Sequence, residues 1–257
     1  MSEIKAGRLE YIDVARGIAM LCIVAGHLGI AEVNRVVFTF HIPIFYFITG
    51  YFLTTNGSKV NFVKKKFKTL IIPYLFSGLL VVAAAVAVNE LWLGGDNSRQ
   101  VMIDWLKAVL YGAGDNYTDP FYIKGIGATW FLLATFWGAC FLRCIVELKK
   151  TQRIVVILML FLVCSWSRSI CWFPFSIQAG GCAVLFMYFG YLFRDIKDIL
   201  KSLSLEVRIV LTLLAAAVWL CFMRDFQSFW LVHCDIGRGG VDILGSICGC
   251  SVLLLLS

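Results

Sequence analysis

Arg16 and His27 stand eleven residues apart within IDVARGIAMLCIVAGHLGI, an apolar stretch near the amino end of the chain. An ionisable side chain is costly in such a setting and usually marks function. At about 100° and 1.5 Å per residue, the eleven-residue step returns to nearly the same helix face roughly 16 Å further along the axis. Asp13, three residues before Arg16, falls on that stripe too. One helix is therefore expected to turn a carboxylate, a guanidinium and an imidazole towards a protein interior. The imidazole can exchange a proton near neutral pH. The guanidinium stays charged and needs either a paired carboxylate or an anionic ligand.

Such a helix needs partners, and the composition says of what kind. Of the 257 residues, 60% are hydrophobic and 15% charged, with a mean hydropathy of +0.85. A soluble domain carries about 45–50% apolar residues, so the chain reads as an all-α, polytopic membrane helix bundle. The net charge of +7 does not make it a nucleic-acid binder. Its basic residues sit in short segments between apolar spans rather than on one solvated face. The ten cysteines fall mostly inside apolar runs without paired CxxC spacing, which fits small buried hydrophobes better than a zinc or redox site. Asp13 and Arg16 interrupt the first apolar stretch and no small-residue cleavage pattern follows, so it is expected to be a retained helix.

Windows of about 20 apolar residues place spans near 12–30, 37–54, 70–92, 128–147, 154–173, 175–193, 207–223 and 241–257, about eight in all. The short connection AEVNRV makes the first two an antiparallel pair. Assigning residues 1–11, 55–69, 143–153 and 194–208 to one side gathers fifteen Lys and Arg there, including Lys5, Arg8, Lys197 and Lys201, against six in the opposite segments. That bias predicts a cytoplasmic N-terminus. The connection near 94–127 is then external, and its DWLKAVLYG portion is expected to form a short interfacial helix.

In that orientation His27 lies near the outer end of span one and His41 opens span two at similar depth, with Pro43 suited to a first helical turn. Lys64, Lys65, Lys66 and Lys68 form a basic cluster that suits either an anionic ligand or anionic lipid. Arg168 is a further intramembrane charge or a snorkelling one. Trp130 either lines an entrance or anchors the interface. His233 has Cys234 and Asp235 beside it, but adjacent residues seldom converge on one ion, so no metal is expected.

Several segments together resemble a known family. RLEYIDVARGIAMLCIVAGHLG followed by FTFHIPIFYFITGYFL is similar to the opening of the acyltransferase family 3 membrane proteins, especially the branch named after fucose 4-O-acetylase. FVKKKFKTLIIPYLF, ATWFLLATF and PFSIQAGGCAVLFMYFGYLFRD resemble later elements of that family, so the likeness runs from about residue 8 to 195. The resemblance implies a single acyltransferase-3-like domain over 1–257 in the inner or plasma membrane. It also implies transfer of an acetyl or short acyl group from cytoplasmic acyl-CoA to a hydroxyl of a glycan or small metabolite. Acetyl-CoA would be a donor substrate, with no bound cofactor. The family's basic residue and His at this spacing correspond to Arg16 and His27. His27 is then the general base and Arg16 the donor-side anchor, oriented by Asp13. By position, His41 is expected to line the chamber from span two, Lys65 and Lys68 lie where CoA phosphates would approach, Trp130 could line the acceptor entrance, and Arg168 is a further substrate-binding candidate. Family members usually continue through about ten spans, so the chain ending at CGCSVLLLLS is expected to lack the last of them. A transporter using the Asp/Arg/His stripe, or an inactive fragment, are the alternative readings.

Overall fold

The computed structural model describes residues 9–119 and 121–256, without the side chains of Lys197 and Lys201. Lys5 and Arg8, which enter the charge bias, lie outside the described residues. Among the described residues the chain is helical throughout, apart from turns and one isolated bridge between Tyr117 and Ile123. Five helices are long and apolar enough to cross a bilayer, and Gly240–Leu256 is a shorter apolar one. A bilayer core rewards this architecture because a helix satisfies its own backbone polar groups. The residues fall into two compact units.

The first unit holds residues 9–52, 189–229 and 236–256. It contains α1 (Glu10–Gly26), α2 (Ala31–Val37), α3 (Pro43–Tyr51), α10 (Leu205–Arg224) and α11 (Gly240–Leu256), with the later residues of α9 (Ile177–Ser202). Ile12, Ala15 and Ala19 recur along one face of α1 at the spacing that makes a helix stripe. That stripe packs on Phe40, Ile44, Phe47, Ile48 and Tyr51, with Cys250 and Leu254 of α11 closing the same core. The expected span near 37–54 is not one continuous helix. Residues 38–42 form turns between α2 and α3, and Pro43, which has no N–H to donate, opens the second helix. Arg35 donates to the terminal carbonyls of Met223, at 2.6 Å, and Arg224, joining α2 to the exposed end of α10. A cation is favoured there because the last carbonyls of a helix carry partial negative charge.

The second unit holds residues 53–188 and 230–235. Here α4 (Lys59–Lys66) runs through a π turn at Phe67–Ile71 into α5 (Ile72–Trp92). By hydropathy 55–69 reads as a connection between spans, yet it is helical from Lys59 onward, capped by Ser58 Oγ accepting from the Asn61 N–H at 3.2 Å. The widened turn sits just ahead of Pro73, whose ring would collide with the carbonyl four residues back in a regular helix. α6 (Ser98–Tyr111), α7 (Trp130–Ile145), α8 (Lys150–Ser167) and the first residues of α9 complete the unit.

Close approach of α7 and α9 depends on glycine. A Cβ placed on Gly180 would lie 2.7 Å from Trp137 Cβ and 2.9 Å from the Ala134 carbonyl oxygen, neither of which can swing away. Gly180→Ala is therefore expected to cost about 1–3 kcal/mol through overpacking, read as a lower thermal unfolding midpoint in detergent. Gly17→Ala is the control, since a Cβ there meets nothing within 4 Å. It should leave the midpoint unchanged or raise it, because alanine is the better helix former. Equal midpoints for the two variants would remove the tight α7–α9 contact from the account.

Candidate active site

Asp13, Arg16, His27 and His41 all belong to the first unit. Arg16 lies one residue beyond Ala15 and four beyond Ile12, and His27 one beyond Gly26, so each falls beside the packed face of α1 rather than on it. The polar stripe thus follows the rim of that face rather than its centre. The Arg16 side chain is 44% exposed; its guanidinium lies 3.5 Å from Asp13 and 5.6 Å from the centre of the Phe52 ring. A pair this open contributes little to stability, which leaves the guanidinium's donors available to an anion. His27 is the residue at which α1 ends, with its backbone N–H on the Val24 carbonyl and its ring exposed.

His41 is in a different setting. It is buried in the turn between α2 and α3 and stacked on Phe38 with ring centres 5.0 Å apart. Its Nδ1 lies 2.6 Å from the Val37 carbonyl oxygen. A carbonyl can only accept, so Nδ1 carries the proton and the neutral ring presents Nε2 as a base or acceptor. The first unit therefore supplies two imidazoles of unlike burial, those of His27 and His41, together with the Arg16 guanidinium.

The other residues singled out from sequence lie in the second unit. Lys65 and Lys68 are exposed along α4 and the π turn, while Lys66 rests over the Phe62 ring at 5.7 Å. Trp130 is buried, its ring against the backbone of Gly114 and edge-on to Phe131. It is a packing residue of this unit. Arg168 follows the last turn of α8 and pairs with Asp235 at 3.4 Å. Beside it, His233 Nε2 lies 3.1 Å from Asp115, and Tyr117 is stacked on Trp172 at 4.3 Å. Burial pushes the Tyr117 phenol well above its ordinary value, and its OH donates to the Val232 carbonyl.

Three buried polar groups were not singled out from the sequence. Arg143, near the end of α7, donates to the carbonyls of Thr55 (2.8 Å) and Gly57 (3.1 Å) and pairs with Glu147. Hydrogen bonds from Lys59 and then Arg143 hold the Glu147 carboxyl below its usual value. Gln178 in α9 accepts from the Phe173 N–H and donates to Ser167 Oγ and the Cys171 carbonyl, so both ends of its amide are occupied. Asp242, in the first turn of α11, takes three hydrogen bonds from Arg238. Only the last had a local signal, an Arg and an Asp four residues apart at a helix start.

A family model for the acyltransferase domain, that of acyltransferase 3, matches residues 9–255. The chain belongs to the acyltransferase 3 family. Neither a curated protein nor a solved structure matches it. Membership makes this acyltransferase 3 chain a multi-pass membrane protein of an acyl-transferring class, with a bilayer around it and an acceptor to modify. The match includes α1, α3 and the basic helix α4, so each candidate side chain above lies within the acyltransferase 3 region.

Proposed function

We propose that the protein moves an acetyl or short acyl group from cytoplasmic acyl-CoA to a hydroxyl of a glycan or small metabolite. The observation that carries this reading is the placement of Arg16, His27 and His41 in one unit of an acyltransferase 3 chain, with Arg16 and His27 separated by eleven residues, a backbone rise of about 16 Å in a regular helix. Arg16 holds an anionic part of the donor, and Asp13 orients it. The extended thiol arm of the donor brings the thioester towards His27. There the acceptor hydroxyl oxygen attacks the thioester carbonyl carbon while His27 takes the hydroxyl proton. The carbon–sulfur bond then breaks, and the proton passes from the imidazolium to the departing thiolate, giving the ester and free CoA. His41, with Nδ1 tied to Val37, lines the chamber and presents Nε2.

Titration of the purified chain in nanodiscs with acetyl-CoA tests the donor assignment. The wild type should bind, and Arg16→Gln should weaken binding about tenfold, the size expected for losing a charge-assisted contact. Arg16→Lys should recover most of it. No heat of binding to the wild type, or equal affinity in Arg16→Gln, would remove acyl-CoA from this stripe.

A further inference from the structure

An apolar groove runs between α5 and α6 in the second unit, and none of the assignments above uses it. Its volume is about 490 Å³, within the usual range for a ligand site. Val81, Ala84, Ala85 and Val88 of α5 form one wall, Val101 and Trp105 of α6 the other. From Val81 to Val88 the helix rises about 10 Å, room for a run of methylene groups. Lys124 lines both this groove and a neighbouring depression, so it stands where the two meet.

The groove is fixed at both ends. At one, α5 and α6 touch: a Cβ on Gly78 would lie 2.7 Å from Val109 Cγ1, and the Tyr74 OH donates to the Val109 carbonyl at 2.6 Å. At the other, buried Asn89 holds the turn between the helices. Its Nδ2 donates to the Asp96 carbonyl at 3.1 Å and to Ser98 Oγ at 2.8 Å, and its own carbonyl accepts from the Gly95 N–H at 2.9 Å. Between these clamps the short side chains of Ala84 and Ala85 leave the space open. A groove held this way needs little reordering when a ligand docks.

The charges decide which ligand. Lys124 Nζ lies 4.0 Å from the centre of the Trp105 ring and keeps its charge there. The depression it shares is lined also by Asp104, Lys107, Phe121 and Tyr122. Asp104 accepts from Gln100 Nε2 at 2.8 Å, and its one carboxylate offsets only one of the two ammonium groups. This end of the groove is therefore left with net positive charge, while the groove itself offers only carbon to what enters it. Phe121 is 58% and Tyr122 68% exposed, and open aromatic rings of this kind settle at the headgroup level of a bilayer. The fitting ligand has a flexible hydrocarbon chain and a singly charged anionic end. We infer that the α5–α6 groove holds one acyl chain of an anionic phospholipid, with its phosphate at Lys124 and Lys107. A zwitterionic headgroup would bring a further cation to a place that already has one in excess. The assignment does not depend on the acyl-transfer reading.

Native mass spectrometry of the whole chain in detergent, titrated with one phospholipid at a time, tests this. The first equivalent of phosphatidylglycerol should bind at least about fivefold tighter than phosphatidylcholine with the same chains, the size of effect one basic residue has on an anionic lipid. Lys107→Gln/Lys124→Gln should abolish that preference. Ala85→Phe, which fills the groove, should weaken phosphatidylglycerol binding, and the rim variant keeps the test open if this one does not fold. Lys64→Gln/Lys65→Gln is the control for the basic helix α4 and should retain the preference. Equal affinity for the two lipids, a preference that survives Lys107→Gln/Lys124→Gln, or one lost in the α4 variant instead would each overturn the assignment. Displacement of the lipid by glycerophosphoglycerol, the headgroup without its chains, would do so too, since the charged depression alone would then be the site. A lipid-free dimer that Ala85→Phe separates would give the groove to a second copy of the chain and likewise overturn it.

Discussion

Replacement of His27 by alanine is expected to lower the rate of acyl transfer by a factor of about 10²–10⁴, the range that a positioned general base contributes. The His27 imidazole, at the end of α1, is the group on this stripe suited to take a hydroxyl proton, since Arg16 stays protonated and Asp13 is the partner of Arg16. A merely structural His27 would predict a different pattern. Its ring is exposed at the end of α1, so truncation should leave the thermal midpoint and the amount of protein in the membrane nearly unchanged. That exposure also allows a chemical rescue. Imidazole added to His27→Ala should restore part of the rate, and the restored activity should fall as pH drops and the added imidazole becomes protonated. His41→Ala should show neither feature in full. Its ring is buried and bonded to Val37, so its loss should cost stability along with rate. A His27→Ala variant that transfers acyl groups at the wild-type rate would end the base assignment.

The parts of the fold that could be read from the residues are those governed by length and hydropathy. Ile72–Trp92, Trp130–Ile145, Lys150–Ser167 and Leu205–Arg224 fall within a few residues of the spans expected, because an apolar run of this length must bond its backbone internally. The amphipathic DWLKAVLYG likewise lies in α6. Two features were not legible. Hydropathy is blind to a polar helix, so the basic segment joined to α5 looked like a connection although its lysines are good helix formers. Hydropathy also sees no break at residues 38–42, where the chain stays apolar while its backbone turns. Pro43 marked where the second helix starts, and only the paired turns show where the first one stops.

The candidate site divides along the same line. Spacing along one helix puts Asp13, Arg16 and His27 on a common stripe, and the Arg16–Asp13 contact follows from it. The stripe's position on the rim of the packed face is set by which residues of α3 and α11 meet α1, information that is not local in sequence. His41 illustrates the same limit. Its type and place at the head of span two made it a candidate, but the tautomer that makes Nε2 the useful nitrogen depends on a carbonyl four residues earlier coming within 2.6 Å. The edge-on contact of Tyr111 with Phe121 is less legible still, since the two are ten residues apart, one at the end of α6 and the other between the bridged residues Tyr117 and Ile123.

The second large effect concerns the start of α11, where removing either member of one ion pair should have unequal consequences. Asp242 is 0% exposed and accepts from the Arg238 backbone N–H at 2.8 Å, from Nε at 2.9 Å and from Nη2 at 2.7 Å. Arg238 has a second carboxylate in Asp225, at 3.4 Å, and its side chain reaches the surface. Asp242→Ala therefore leaves a cation that still has Asp225 and outside contact, and the loss should be about 1–3 kcal/mol, the cost of the hydrogen bonds. Arg238→Ala leaves a carboxylate with no side-chain cation in a position that excludes solvent. Stranding a buried charge in this way costs about 3–5 kcal/mol, moderated here by the backbone N–H of residue 238, which survives the substitution. The arginine variant should accordingly be the less stable of the two. Removing both should return stability close to that of Asp242→Ala alone, because the stranded charge is then gone. Chemical unfolding of the four proteins in one detergent closes the cycle. Equal single losses that add in the double variant would show that the pair is no more than an exposed contact, and the anchoring of α11 through Asp242 would have to be abandoned.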